Sequence, residues 1–419
     1  MTTQPTDDRT IRAAVGSTRS ISTALAGHRN SLGVLRLIFA ALVIVDHAYP
    51  LGGFGHDPMW DRTRGQASLG SIAVLGFFAI SGYLITKSGM STDVVQFMWR
   101  RILRIFPAYW VLLAVSALLV GPVFWVLEGN ALGSYWAVAG GPLEYFTRNW
   151  TLEIGTYAIH DIFATTTPYG ESAGSVLNGS LWSLLYEWQA YLLVAVLVAF
   201  GIVTKAKLVI PALAVFMVAV QLISITNPAA LAAYIPFLGD PQRPPLLLVF
   251  LVGATIAVYS SKIPFGHGLG IFAIVVTALT LRYGGFSVLG AIAGTYAVLY
   301  VAAMLPRRLQ WIGAKNDYSY GIYIYGFLVQ QMLAYYGVYR LGVAPFVAIA
   351  LIVAFVCAWL SWHLVEKRAM ALKDWGPGRG ISYWSGYFRS RLEPVAARVN
   401  HRAPGPRVAI RKEDESENR

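Results

Sequence analysis

At 419 residues the chain is 56% hydrophobic and only 13% charged, against roughly 25% charge in a soluble domain, which excludes a single water-soluble core. Its formal charge of +12 would suit a nucleic-acid binder, but no nucleic-acid-binding module is visible. The basic residues lie in short segments between apolar runs and in the C-terminal tail, as in the inner loops of a membrane protein. A single cysteine, Cys357, excludes an internal disulfide and a Cys-based metal site, and the 7 histidines form no close pair at ligand spacing, so no metal is expected.

Residues 1–30 are rich in Thr, Ser and Arg, lack an apolar signal segment and read as a disordered cytoplasmic leader, so the first apolar run is expected to remain as a span. Apolar segments follow at about 32–50, 69–86, 102–127, 181–203, 208–225, 244–260, 267–281, 286–305, 319–337 and 345–364. Most approach the roughly 20 residues that cross a bilayer. The expected fold is an all-α polytopic membrane protein of about ten transmembrane helices over residues 31–366. The residues Lys87, Arg100, Arg101, Lys205, Lys207, Lys262, Arg307, Arg308 and Lys315 fall in alternate loops, which predicts cytoplasmic N- and C-termini.

The longest outer loop, about 128–180, is aromatic and rich in Gly and Pro, with Tyr135, Trp136, Tyr145, Trp150, Tyr157 and Tyr169. Two readings fit it: an interfacial cap with an aromatic belt, or one wall of a sugar-binding cleft. Residues 367–419 form a basic tail. Its aromatic part, Trp375 to Phe388, could lie on the inner membrane surface, and its end reads as disordered.

The first span, LGVLRLIFAALVIVDHAYP, holds Arg36, Asp46 and His47. Eleven residues bring His47 back to within roughly 20° of the Arg36 face, about 16 Å further along the helix. Both side chains should therefore enter one interior groove. A charge at mid-membrane costs at least about 2.5 kcal/mol on insertion scales, so such residues are functional candidates. Alternatively, Arg36 snorkels to the headgroups and His47 is a packing residue. Asp46 points about 100° away from His47 and has no assigned role.

The second span, GFFAISGYLI, carries small residues Gly76, Ala79, Ser81 and Gly82 that suit close helix packing. Arg101 and Arg104, three apart at the mouth of the third span, share a helix face and match an anionic ligand, or simply anchor the inner loop. In the fourth segment, NGSLWSLLYEWQAYLL, Glu187 lies among Trp182, Tyr186, Trp188 and Tyr191 and needs a partner, because an isolated buried carboxylate is expensive. Glu366, after the last span, is expected to face cytoplasmic water or a basic loop.

These pieces resemble the acyltransferase-3 family, membrane acyltransferases that modify bacterial surface sugars. The resemblance covers about residues 30–370. Arg36 and His47 meet its Arg-x10-His element; Phe78, Ser81 and Gly82 meet Phe-x-x-Ser-Gly; Arg101 and Arg104 meet Arg-x-x-Arg; Trp182, Ser183, Leu184 and Glu187 meet Trp-Ser-Leu-x-x-Glu. The aromatic span YSYGIYIYGFLVQQ and the closing Val365–Lys367 are also similar. Trp188 stands where the family often has a second acid, so no role for that acid carries over.

The resemblance implies an acyl-CoA-dependent O-acetyltransferase in the bacterial inner membrane. Its donor would be acetyl-CoA, and its acceptor a hydroxyl of a surface polysaccharide or glycolipid. Arg36, Arg101 and Arg104 would bind the donor's phosphates, and His47 and Glu187 would be catalytic. Ser81, Trp182 and Tyr186 would touch substrate. His47 could act as a general base or carry the acyl group itself, and Glu187 could orient His47, orient the acceptor or pair with an arginine. A secondary transporter and a non-catalytic sensor on the same fold are the alternative functions.

Overall fold

In lipid every backbone N–H and C=O must be paired, and a helix pairs them within one segment. The computed structural model, which describes residues 19–27, 30–137 and 139–400, is accordingly helical. The only extended pairing among the described residues is an isolated bridge between Ser20 and Pro264. The longer helices are α1 (Leu32–Leu51), α2 (Leu69–Gly89), α3 (Val94–Leu127), α4 (Trp182–Ala199), α5 (Val209–Thr226), α6 (Arg243–Val258), α7 (His267–Tyr283), α8 (Phe286–Met304), α9 (Ser319–Tyr335) and α10 (Val343–Asp374). Each predicted apolar segment falls on one of them.

Among the described residues, 7 helices are long and apolar enough to cross a membrane, which makes the protein a polytopic membrane protein. The others, α6, α7 and α9, have 16, 17 and 17 residues. At 1.5 Å per residue they span about 24–26 Å, short of a ~30 Å hydrocarbon core.

Helix α3 starts at Val94, eight residues before the apolar run. Asp93 caps it, accepting from the backbone N–H of Val95 and Gln96 at 3.0 Å each, so the polar turn carrying Arg100 and Arg101 is helical. Its far half includes a π-helical stretch, Ser116–Val120; another, Trp362–Glu366, interrupts α10.

Helix α2 is central, packing on α1, α4, α6 and α8. Its contact with α6 is the most extensive in the bundle. A side chain at Gly82 would collide with the carbonyl of Phe250, and a Cβ on Gly253 would lie 2.6 Å from the Ala79 carbonyl oxygen. The two backbones touch, as small residues permit between membrane helices. Replacing Gly82 with leucine is expected to force α2 off α6 and to destabilise the bundle by at least about 1–3 kcal/mol, the usual range for overpacking. A lowered thermal midpoint in detergent, compared with Gly268→Leu, where a Cβ meets open space, checks it.

Part of the expected leader is folded: Ile21–Ala24 forms a helical turn, with Ile21 N–H donating to Ile263 O at 3.1 Å and Ser22 N–H to Ser260 O at 2.9 Å. Ile21, Ala24 and Leu25 bury their apolar surface there. Residues 1–18 and 28–29 of that leader, and 401–419 of the tail, lie outside the described residues. The rest of the tail is fastened to the start of α3. Trp99 Nε1 donates to Leu372 O (2.9 Å), Gln96 Nε2 to Gly378 O (2.8 Å), and Arg100 pairs with Asp374 (2.8 Å). Helix Ile381–Asn400 then leaves with Tyr383 and Phe388 exposed.

Candidate active site

The N-terminal half of α1 meets α2, α3, α4 and α9 around an inner cavity of about 190 Å³. Arg36, Ser81, Arg101, Arg104, Glu187 and Tyr191 line it. The three arginines that the sequence singled out are therefore together, but they are not equivalent. Asp317, just before α9, accepts from Arg36 Nη1 at 2.5 Å and from Arg104 Nη2 at 2.6 Å. Ser319 Oγ donates to its other oxygen at 2.5 Å. Burial alone would raise the Asp317 carboxyl, but the two guanidiniums outweigh it and hold the group at about 2.

Arg104 also reaches Glu366 Oε2 at 3.4 Å. The sequence reading placed Glu366 against cytoplasmic water or a basic loop; its basic partner is instead Arg104 on helix α3, Glu366 is 2% exposed, and Ser361 Oγ donates to it at 3.0 Å. The π turn of α10 ends on Glu366, in keeping with the frequent use of such turns at functional positions.

Arg101 has no ion-pair partner among the described residues. Its guanidinium lies 5.7 Å from the Phe97 ring and 5.8 Å from the Tyr191 ring, and its Nε is buried without a partner. Glu187 accepts from the Tyr191 hydroxyl and, at 3.4 Å, from Ser81 Oγ. The neighbourhood thus sets three guanidiniums (Arg36, Arg101, Arg104) against three carboxylates (Glu187, Asp317, Glu366).

The C-terminal half of α1 borders a second cavity, of about 340 Å³, where Asp46, His47, Gln66, Ser68, Ser71, Trp182, Gln221 and Gln242 converge. His47 packs edge-on against Phe327, ring centroids 5.2 Å apart, and its Nδ1 is buried without a partner. Gln221, 5% exposed on the otherwise apolar α5, has a buried amide oxygen that is also unpartnered. Buried polar atoms are normally hydrogen-bonded, so each exception calls for an explanation. Here two unpartnered atoms belong to residues that line one cavity.

Asp46 lines the same cavity and makes no hydrogen bond to His47, as their angular separation predicts. Its neighbour is Asp57, which caps the short helix Pro58–Arg62 by accepting from Met59 N–H at 2.8 Å. Burial, and behind it the Asp46 carboxylate, push the Asp57 carboxyl up.

Arg36 and His47 do point into the interior from the same helix, but into separate cavities. Val74 and Tyr323 line both. The Tyr323 hydroxyl donates to Ser180 O at 2.7 Å and bonds Ser183 Oγ at 2.5 Å, while Phe77 packs edge-on against its ring at 5.9 Å. Of the other predicted residues, Ser81 and Glu187 fall in the arginine cavity and Trp182 in the His47 cavity. Tyr186 borders neither cavity; it donates to Asp240 Oδ2 at 2.5 Å, under the Arg243 guanidinium.

The loop after α3 lines neither cavity. Tyr135 and Tyr145 are buried in its own core, the Tyr135 hydroxyl donating to Ala117 O at 2.6 Å, while Trp136 and Trp150 stay more than half exposed. The same loop lines a separate cavity of about 800 Å³ with α3, where Trp136, Glu144 and Phe146 meet Ala117 and Leu118.

Asp317, Gln221, Val74 and Tyr323 were not anticipated from sequence. A lone glutamine in an apolar helix is a signal that could have found Gln221. Asp317 is one of several loop acids, and its bond to Arg36 crosses 281 positions.

Known proteins resemble this chain over most of its length. The chain is 30% identical over 348 residues to the O-acetyl transferase of Shigella phage Sf6, covering 81% of this chain and 95% of that protein. It is 30% identical over 374 residues to Nodulation protein 10 of Rhizobium leguminosarum bv. viciae, covering 83% and 95%. No solved structure matches it. The acyltransferase domain that defines the acyltransferase-3 family matches residues 29–363, from before α1 to the π turn of α10, and the chain belongs to that family.

Proposed function

We propose that the protein is an O-acetyltransferase of the bacterial inner membrane, taking acetyl from cytoplasmic acetyl-CoA and delivering it to a sugar hydroxyl of a surface polysaccharide or glycolipid. The observation that carries this reading is the pair of unlike cavities on α1, one rich in guanidinium and the other holding His47. The name of the phage relative, an O-acetyl transferase, supports the group transferred.

In this reading α1 to α10 all cross the bilayer, and both termini face the cytoplasm. The basic residues that fall in alternate loops support it. The arginine cavity then opens to the cytoplasm and takes the donor's phosphates. Arg101 supplies the uncommitted charge, because Arg36 and Arg104 already hold Asp317. Their role is to shape the cavity and accept a phosphate only by sharing. Glu187, on the donor side with Ser81 and Tyr191, orients that wall rather than His47.

The acceptor hydroxyl enters the other cavity, where Trp182 offers a flat face and Gln221 a buried amide oxygen without a partner. The hydroxyl oxygen attacks the thioester carbonyl and its proton passes to the His47 imidazole. A C–O bond forms, the C–S bond breaks, and the thiolate leaves to be protonated by the imidazolium.

The test uses purified full-length protein and radiolabelled acetyl-CoA. A charge-assisted hydrogen bond contributes about 1.5–3 kcal/mol, so Arg101→Gln is expected to weaken donor binding by at least tenfold. Acetyl mapping of surface glycans from a deletion strain identifies the acceptor. If Arg101→Gln binds acetyl-CoA as well as wild type, the donor assignment falls.

A further inference from the structure

We infer that Val74 and Tyr323 form the partition between the two cavities, and that the acyl end of the donor must be threaded between them to reach His47. The inference rests on the proposed function for the identity of the two ligands, but the partition itself does not. These two side chains are shared by both cavity linings. Arg36 and His47, one in each lining, are about 16 Å apart along α1. A thioester held by its phosphates at the arginines can react at His47 only if its reactive end passes this wall.

The wall is built to stay in place. Tyr323 on α9 is tethered through its hydroxyl to two groups at the entry of α4, Ser180 O and Ser183 Oγ, and braced by the Phe77 ring. Val74 sits on α2, which is held against α6 by the Gly82 and Gly253 contacts. Both faces of the gap are thus fixed by separate helix pairs. A gap between two side chains held in this way admits the slender β-alanyl-cysteamine end of the donor and excludes a sugar. Its opening also limits how bulky an acyl group can follow, so this pair governs acyl specificity. With the arm seated, the gap is filled, and water on one side is kept from the thioester on the other. Without that seal, water would replace the hydroxyl: its oxygen would take the acyl group, and the same C–S bond would break to free acid and thiol.

The experiment is sided labelling in membrane vesicles of both orientations. Cys357 is the sole cysteine, so Cys357→Ser provides a thiol-free chain. Into it go Ser81→Cys, in the arginine cavity, or Ser287→Cys, in the His47 cavity. The probe is an impermeant stilbene disulfonate maleimide, whose aromatic rings are too wide to follow the donor arm through the gap, with and without CoA. The Ser81→Cys thiol is expected to react from one face only and to be protected by CoA, and the Ser287→Cys thiol from the opposite face only. Adding Val74→Ala or Tyr323→Ala is expected to make the Ser81→Cys thiol reactive from both faces. Equal reaction from both faces with Val74 and Tyr323 intact, or no change on trimming them, overturns the partition. Sidedness without protection by CoA leaves the partition standing and sinks the donor assignment instead.

A second variant, Val74→Trp, plugs the gap. It is expected to abolish acetyl transfer, and to weaken acetyl-CoA binding only in part because the arginines stay in place while Val74 lines the same cavity; retained transfer refutes threading. If the plug also abolishes donor binding, the labelling result decides.

Discussion

Replacing His47 with alanine is expected to lower acetyl transfer by about 10²–10⁴-fold, the usual contribution of a positioned acid–base group, while acetyl-CoA binding stays at the wild-type level. The two effects separate because His47 and the arginines line different cavities. Rates measured at saturating acceptor, beside equilibrium binding of labelled donor, check both halves. Undiminished transfer in the variant removes His47 from the reaction. The same preparation distinguishes the two chemical roles. Wild-type protein given labelled acetyl-CoA and no acceptor retains no label on His47 if the imidazole acts as base, and becomes acetylated there if it acts as nucleophile.

Asp317→Ala has the largest expected effect on stability. It removes the carboxylate that holds Arg36 and Arg104, leaving Arg36 without an ion-pair partner among the described residues and Arg104 with Glu366 alone, in a site largely shielded from water. Breaking such a network by deleting one partner costs about 3–5 kcal/mol. A drop in the thermal midpoint in detergent and a lower yield of folded protein report it. A pH dependence follows with a definite sign. The carboxyl is held at about 2, below its ordinary 3.8. A depressed acid stabilises the fold above its unfolded value and loses that contribution as pH falls through the folded one. Wild type should therefore surrender roughly 2 kcal/mol between pH 5 and pH 2 that Asp317→Asn does not. Parallel acid curves for the two proteins would show that Asp317 is not the group responsible.

Much of this was readable in the chain. Apolar run length located each long helix, because a bilayer leaves the backbone no alternative. The eleven-residue spacing of Arg36 and His47 correctly turned both inward, since helix periodicity is local. It did not reveal that the interior is divided, because the dividing residues, Val74 and Tyr323, come from α2 and α9 and look like ordinary span residues. Glu366 was misread for a related reason. Nothing local says that a π turn will swing it onto Arg104, which is 262 positions away. The polar first turns of α3 were excluded by hydropathy, although Asp93 marks them as a capped start. Tyr186, given a substrate contact by the resemblance, borders neither cavity and reaches Asp240 instead, because it points about 100° away from Glu187 on the helix.

The π turn at Trp362–Glu366 makes chain length, and not only residue type, a constrained quantity in this stretch. A π turn holds one residue more than an α turn. With one residue fewer, α10 would close as an unbroken α-helix, and everything beyond would be rotated by about 100°. Glu366 would leave Arg104, and Leu372, Asp374 and Gly378 would no longer meet Trp99, Arg100 and Gln96. Between Trp362 and Gly378 an in-frame loss or gain of a single codon would disconnect the tail from α3 and unbalance the arginine cluster in one step, even with Glu366, Asp374 and Gly378 all retained.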